Sequence, residues 1–176
     1  MRIVLLALLV LPLAACGPAA ASSAPLATFE EFAAVACDAF EAMFRAVGNP
    51  DAGTPSELSA ALDEAIDRGD PAEANRLAKA ILGELEQGRQ AAAAAAAWAP
   101  GAPAMSELND VLTAYAAYIR AKQEQSAGNS ADPQAAFEAA GGVDSWTAML
   151  GAAQSAAAAR PANAPPHECD GIPMSW

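Results

Sequence analysis

A single histidine limits the catalytic chemistry that this chain can perform. His167 lies in a short polar run with Glu168, Cys169 and Asp170, close to the end of the 176-residue sequence. Serine–histidine and cysteine–histidine catalysis would both depend on this one imidazole, and a di-iron bundle would need a Glu-x-x-His motif on each of two helices. We therefore expect no catalytic residues. The four side chains are potential metal ligands, but only if the Cys169 thiolate is available.

Four acidic residues cluster near the end of the second predicted helix: Asp63, Glu64, Asp67 and Asp70. A calcium loop needs ligands at alternating positions around a glycine turn, and this spacing does not provide them. Asp70 precedes a proline and is better explained as a helix cap. A metal or cationic-partner site is the alternative interpretation of this cluster.

Aromatic residues of the predicted helices could line a ligand pocket. Helix bundles commonly hold ligands between their helices, although core packing also explains aromatic residues at helical spacing. No phosphate-binding glycine loop or dinucleotide fingerprint accompanies them, so we predict no cofactor. The candidate pocket residues are Trp98, Tyr115, Tyr118 and Trp146.

The sequence is strongly acidic. Nine Lys and Arg residues stand against 21 Asp and Glu residues, giving a formal net charge of −12. Binding to nucleic acid requires a basic surface, and docking on anionic lipid headgroups also requires basic residues. The charge therefore argues against both, whereas it is compatible with basic protein partners or with solubility alone.

The first sixteen residues combine a positive start, an apolar run and a cysteine. Arg2 is followed by an apolar stretch from Ile3 to Leu13, and the chain continues Leu13-Ala14-Ala15-Cys16. This run is too short to span a membrane, which takes roughly 20 residues, but it fits an export signal. The tetrapeptide resembles the lipobox of bacterial lipoproteins, and the resemblance covers residues 1–17.

The resemblance to lipoproteins implies where the chain is located. Residues 1–15 would be a signal peptide, and Cys16 would be acylated and become the new N-terminus. More than one acyl chain gives stable anchoring. Gly17 implies sorting to the outer membrane if the host has one, and otherwise the lipid holds the chain on the outer face of the cell membrane. Residues 16–27 are small and uncharged, so we expect a lipidated flexible tether.

The same resemblance implies an oxidising compartment and commits Cys16 to lipid, which leaves Cys37 and Cys169. An even pair in such a compartment usually forms a disulfide. Closing a loop of about 130 residues is worth roughly 4–5 kcal/mol in the chain-entropy model. A bridged Cys169 cannot ligate a metal ion, so we predict no metal site. The alternative is two free thiols.

The C-terminal residues 161–176 read PANAPPHECDGIPMSW. Their prolines exclude a helix and favour an extended chain. We expect this tail to be stapled to the first helix by the predicted bridge and to bury some of Ile172, Met174 and Trp176. The alternative is a mobile tail whose apolar end binds a partner.

Helix start signals and apolar residues at i, i+3, i+4 and i+7 predict a helical bundle over residues 28–160. No segment alternates β-branched and polar residues, so we expect no sheet. Short breaks between helices favour antiparallel neighbours. We predict an all-α, up-and-down bundle of about four main helices, with short extra helices and the extended proline-rich tail. The start signals are Thr28 with Glu31, Thr54-Pro55, Asp70-Pro71, Asp132-Pro133 and Asp144, and the third helix is expected to reach Trp98.

These features predict a lipid-anchored extracytoplasmic helical lipoprotein without enzymatic activity. We expect it to be a protein-interaction or structural module of the cell envelope. Its partners would be the membrane, through lipid on Cys16, and an envelope protein. The alternative is a small-molecule or metal-binding lipoprotein that uses an inter-helix cavity of ~300 Å3 or more, lined by the four aromatic residues above.

Overall fold

The computed structural model describes residues 28–50 and 52–164. Six helices within these residues pack against one another, which confirms the predicted all-α bundle. Four of the helices are long, and α2 and α5 are short. The helices are α1 (Phe29–Val47), α2 (Glu57–Asp67), α3 (Pro71–Ala95), α4 (Ala102–Ser126), α5 (Pro133–Ala139) and α6 (Gly142–Ala158).

The predicted capping residues explain where three of the helices begin. The Thr28 hydroxyl accepts the amide hydrogen of Glu31 at 3.1 Å, and the Glu31 carboxylate accepts the amide hydrogen of Thr28 at 3.2 Å. Asp70 and Asp132 each accept the amide hydrogen three residues ahead at 3.0 Å. Each cap satisfies a backbone donor that has no partner inside its helix.

The four long helices run up and down in the order α1, α3, α4, α6. Arg45 near the end of α1 donates to Glu84 in the middle of α3 at 2.9 Å, whereas Phe32 near the start of α1 contacts Trp98 beyond the end of α3. Arg89 in turn donates to Asn109 near the start of α4 at 3.1 Å. Helix α6 packs against α4, while α2 packs against α3 and α1, and α5 covers α4.

The core combines many alanines with a few large apolar side chains. Because alanine buries little area, the helices must approach one another closely. A Cβ added at Gly88 of α3 would lie 3.2 Å from the Ala39 carbonyl oxygen on α1 and 3.2 Å from the Leu112 side chain on α4. The fully buried large residues include Phe32, Phe40, Met43, Leu62, Ile81, Leu85, Met105, Leu108, Leu112, Ile119 and Met149.

A short strand pair between α1 and α2 departs from the predicted absence of a sheet. Strand β1 (Gly48–Asn49) pairs antiparallel with β2 (Thr54–Pro55). Gly48 has a φ of +94°, and a Cβ there would lie 2.1 Å from the Thr54 carbonyl oxygen, so the turn requires glycine. Two-residue strands carry no alternating pattern, so the sequence could not reveal them.

The predicted cap of α2 is wrong because its residue is used elsewhere. Thr54 pairs in β2, and the cap is Ser56, whose Oγ accepts the amide hydrogen of Ser59 at 3.0 Å. The same hydroxyl donates to the Ala46 carbonyl oxygen at 2.9 Å. Ser56 therefore fixes the start of α2 to the last turn of α1.

Two further boundaries differ from the prediction. Helix α6 begins at Gly142 after a left-handed Gly141, so Asp144 lies in its first turn instead of capping it. A carboxylate in the first turn is still favoured by the helix dipole. Helix α3 ends at Ala95, before Trp98, because the chain turns there to place the indole against α1.

No helix among the described residues is long and apolar enough to cross a membrane. The described chain ends at Ala164, which packs against the core. The predicted signal peptide, the tether and residues 165–176 of the tail lie outside the described residues. Their predictions therefore stay predictions.

Candidate interaction surface

The structure brings three of the four predicted pocket residues to one region. Tyr115 lines a depression of about 250 Å3 together with Trp146, and a second depression of about 220 Å3 together with Tyr118. Pro50 borders both depressions, so they adjoin beside the β1–β2 turn. Tyr115 therefore lies between Trp146 and Tyr118 in this region.

Trp98 lies apart from this group, at the opposite end of the bundle. Its ring centre is 4.5 Å from that of Phe32 and 5.7 Å from that of Phe29. Gly101 lies against the same rings, since a Cβ there would approach Phe32 to 2.3 Å. Trp98 therefore packs over the first turn of α1 and does not line the predicted pocket.

Two neighbours of the aromatic group come from α5 and from the first turn of α6. The Phe137 ring on α5 lies 4.9 Å from the Tyr115 ring, and Val143 at the start of α6 is 54% exposed. Gly142 permits this arrangement, because a Cβ there would lie 2.4 Å from the Phe137 ring. We use the name aromatic surface for Pro50, Tyr115, Tyr118, Phe137, Val143 and Trp146.

Sequence reasoning missed the contribution of Phe137, Val143 and Pro50 to this surface. The signal for Phe137 was present, since the Asp132-Pro133 start places it on a short helix after α4. Pro50 lies in the connection between α1 and α2, and Val143 lies in the first turn of α6, so neither belongs to a periodic apolar stripe. Only the folded chain shows that both residues lie beside Tyr115.

An ion pair between α4 and α2 borders the aromatic surface. The Lys122 ammonium on α4 donates to the Asp63 carboxylate on α2 and lies 4.9 Å from the centre of the Tyr118 ring. The Lys122 side chain is 10% exposed, against 50% for Asp63. Burial lowers the pKa of Lys122, but the interactions with Asp63 and Tyr118 outweigh burial and raise that pKa above its ordinary value.

Three of the four acidic residues near the end of α2 make contacts within the molecule. Asp63 pairs with Lys122, Glu64 pairs with Arg68 one turn ahead, and Asp70 caps α3. Within residues 28–50 and 52–164, no group of three or more His, Cys, Asp or Glu side chains could hold a metal ion. Asp63 and Glu64 therefore serve as ion-pair partners, and Asp70 serves as a helix cap.

Several predicted site residues fall outside the described residues. These are Cys16 and the run from His167 to Asp170. Cys37 is described, and it is 5% exposed on α1, where its Sγ lies 3.8 Å from a carboxylate oxygen of Glu41. The predicted lipidation and the predicted Cys37–Cys169 bridge thus stay predictions.

A larger groove lies on the other side of the β1–β2 turn. It has a volume of about 580 Å3 and runs between the end of α1, the start of α2 and the middle of α3. Phe44, Pro55 and Leu58 contribute its apolar walls, and Arg45 and Glu84 lie at its edge. We call it the α1–α2 groove. None of the four predicted pocket residues lines it.

No protein-family model, curated protein or solved structure matches this chain. Its function therefore has to be inferred from its residues and their geometry. The two depressions of the aromatic surface are each smaller than the roughly 300 Å3 at which pockets for small molecules begin. Half-buried tyrosine, phenylalanine and tryptophan side chains are instead typical of protein interfaces.

Proposed function

We propose that this chain is a lipid-anchored helical lipoprotein of the cell envelope that binds another protein through the aromatic surface. The lipobox resemblance at Cys16 supports the anchor, and the short tether up to residue 27 would keep the bundle near the membrane. The proposed role is an interaction or structural one and requires no catalysis.

One observation carries the proposal. On a chain with a net charge of −12, helices α4, α5 and α6 and the β1–β2 turn bring Tyr115, Phe137 and Trp146 together around the exposed Val143. Interface cores are depleted of charge and enriched in aromatic residues, and the residues that dominate binding are often Tyr and Trp. A protein partner would bury these partly exposed rings.

The Cys37–Cys169 bridge is part of the proposal. Cys37 is buried on α1, where a bridge would hold the C-terminal tail against the bundle. A disulfide would stabilise a bundle whose core consists largely of alanine, because a core of small apolar side chains supplies limited stability.

Site-specific photo-cross-linking in host cells tests the interaction. A photoreactive phenylalanine analogue would replace Val143 on the aromatic surface or, as a control, the exposed Lys79 on α3. We expect one discrete protein adduct in the membrane fraction from position 143 and none from position 79. Equal adducts from both positions, or none from position 143, would contradict the proposed surface.

A pair of charge substitutions on α6 tests the same surface by affinity. Val143→Asp should weaken capture of the cross-linked partner at least about tenfold, because it places a carboxylate within an apolar contact. Ala148→Asp adds the same charge on an exposed part of the same helix and should leave capture unchanged. Circular dichroism checks that both variants fold.

A further inference from the structure

The α1–α2 groove is an open groove with apolar walls. Its walls include Phe44 on α1, Pro55 on β2 and Leu58 on α2, and both Phe44 and Leu58 are half-buried. Arg45 and Glu84 form an ion pair at 2.9 Å along one edge, so the charges of that edge are already paired with each other. The groove therefore offers apolar contact more than charge recognition.

Cys37 lies on the same face of α1 as this groove. Residues four and seven positions apart on a helix share a face, which aligns Cys37 with Glu41 and Phe44. Glu41 lies 3.8 Å from the Cys37 sulfur and 3.5 Å from Arg45 at the edge of the groove, so it connects Cys37 to the groove. The distance from Cys37 to Phe44 is about 10 Å along the helix.

The described chain ends near the start of α1, on the far side of Cys37 from the groove. Arg160 lies over the Phe29 ring at 5.3 Å and donates to the Ala164 carbonyl oxygen at 3.5 Å. Five further residues lead to Cys169, and an extended chain of that length covers about 16 Å. Cys37 is about 12 Å from Phe29 along α1, so the reach suffices.

The residues after Cys169 are long enough to reach the groove, and their pattern suits its apolar walls. Residues 170–176 read DGIPMSW, and seven extended residues cover about 23 Å. Ile172, Met174 and Trp176 occupy alternate positions, and alternate side chains of an extended chain project to the same face. The segment can therefore present a continuous apolar face once it passes Cys37.

We propose that residues 170–176 of this chain occupy the α1–α2 groove, with Ile172, Met174 and Trp176 against Phe44 and Leu58. The segment enters from the Cys37 side and ends beside the β1–β2 turn. The direction of entry rests on the Cys37–Cys169 bridge of the proposed function. The placement goes beyond that function, because it leaves the aromatic surface as the uncovered site for a partner.

Fluorine NMR of the bridged chain tests this placement. Residues 17–176, exported to an oxidising compartment, would carry 5-fluorotryptophan at Trp98, Trp146 and Trp176, with each resonance assigned by a Trp→Phe variant. We expect the Trp176 resonance to show less than about half of the H2O-to-D2O shift of the free amino acid, as a buried ring does. Leu58→Ala should move this resonance. Leu150→Ala, which truncates a half-buried leucine on α6, should not.

Three results would overturn the placement. The first is a full solvent shift for Trp176, and the second is an equal response of the Trp176 resonance to both leucine variants. The third is a Trp176 resonance that changes on dilution, because this would mean that the groove holds the tail of a second copy. The intact mass of the same sample reports the bridge separately. A bridged chain with an exposed Trp176 overturns only the placement. A chain without the bridge but with a protected Trp176 overturns only the bridge.

Discussion

At the residue scale, the most informative interaction is the pair formed by Lys122 and Asp63. Lys122 comes from α4 and Asp63 from α2, so the pair joins two helices through residues that are 59 positions apart in sequence. The two partners differ in exposure, with side-chain values of 10% for Lys122 and 50% for Asp63. Because a buried charge costs more to leave unpaired than a hydrated one, the two partners should respond differently to removal.

We predict that Asp63→Ala destabilises the bundle by about 2 kcal/mol, because it leaves the buried ammonium without its carboxylate. Lys122→Met should cost about 1 kcal/mol or less, since Asp63 can be hydrated and methionine keeps the apolar stem. Urea unfolding at neutral pH measures both free energies. Equal costs, or the reverse order, would show that the ammonium is less buried than described.

The pH dependence of this pair follows from the sign of the Lys122 pKa shift. A pKa raised above the ordinary value of 10.5 means that the folded state holds this proton more tightly than the unfolded state. The stabilisation is therefore complete below pH 10.5 and is lost as the pH rises through the folded-state pKa. The difference in unfolding free energy between the native chain and Lys122→Met should shrink over that alkaline range.

At the element scale, the close approach of α3 to α1 and α4 determines how an alanine-rich sequence makes a core. Gly88 lies where the three helices meet, whereas an added Cβ at Gly83 would meet no atom within 4 Å. Both glycines are inside the same helix. Alanine substitutions at these two positions therefore distinguish the effect of helix propensity from the effect of the space available between the helices.

Replacing each of these glycines by alanine gives a matched comparison. Gly83→Ala should stabilise the bundle by about 1 kcal/mol, the usual difference between the two residues in a helix interior. At Gly88 the same gain is opposed by contacts of 3.2 Å to Ala39 and Leu112, so Gly88→Ala should give no gain or a net loss. Thermal unfolding measures both. An equal stabilisation from both would mean that α3 can shift away from its neighbours without cost.

At the scale of the whole molecule, the bundle is an antiparallel row of long helices whose two ends differ. Phe29, Phe32 and Trp98 pack together at one end, beside Arg160 and the last described residue, Ala164. The β1–β2 turn separates the α1–α2 groove from the aromatic surface at the other end. A tail that starts at the first end and fills the groove would leave the aromatic surface open.

We predict that residues 17–176 from an oxidising compartment are two hydrogen atoms lighter than the fully reduced chain. Thiol labelling in urea without reductant should then modify neither Cys37 nor Cys169. Reduction should lower the free energy of unfolding by roughly 4–5 kcal/mol, the chain-entropy value for this loop. The variant Cys37→Ser with Cys169→Ser is the control and should match the reduced chain. Labelling of both cysteines before reduction would contradict the bridge.

The approximate positions of the helices could be predicted from the sequence, because caps such as Thr28, Asp70 and Asp132 and the spacing of apolar residues act over a few neighbouring residues. The starts of α2 and α6 and the end of α3 could not. The sequence also predicted that Tyr115, Tyr118 and Trp146 could share a site. The folded chain was needed to show that Trp98 packs at the opposite end, that Phe137 and Val143 join the surface, and that Asp63 pairs with Lys122. These outcomes depend on contacts between distant segments, which no local pattern encodes.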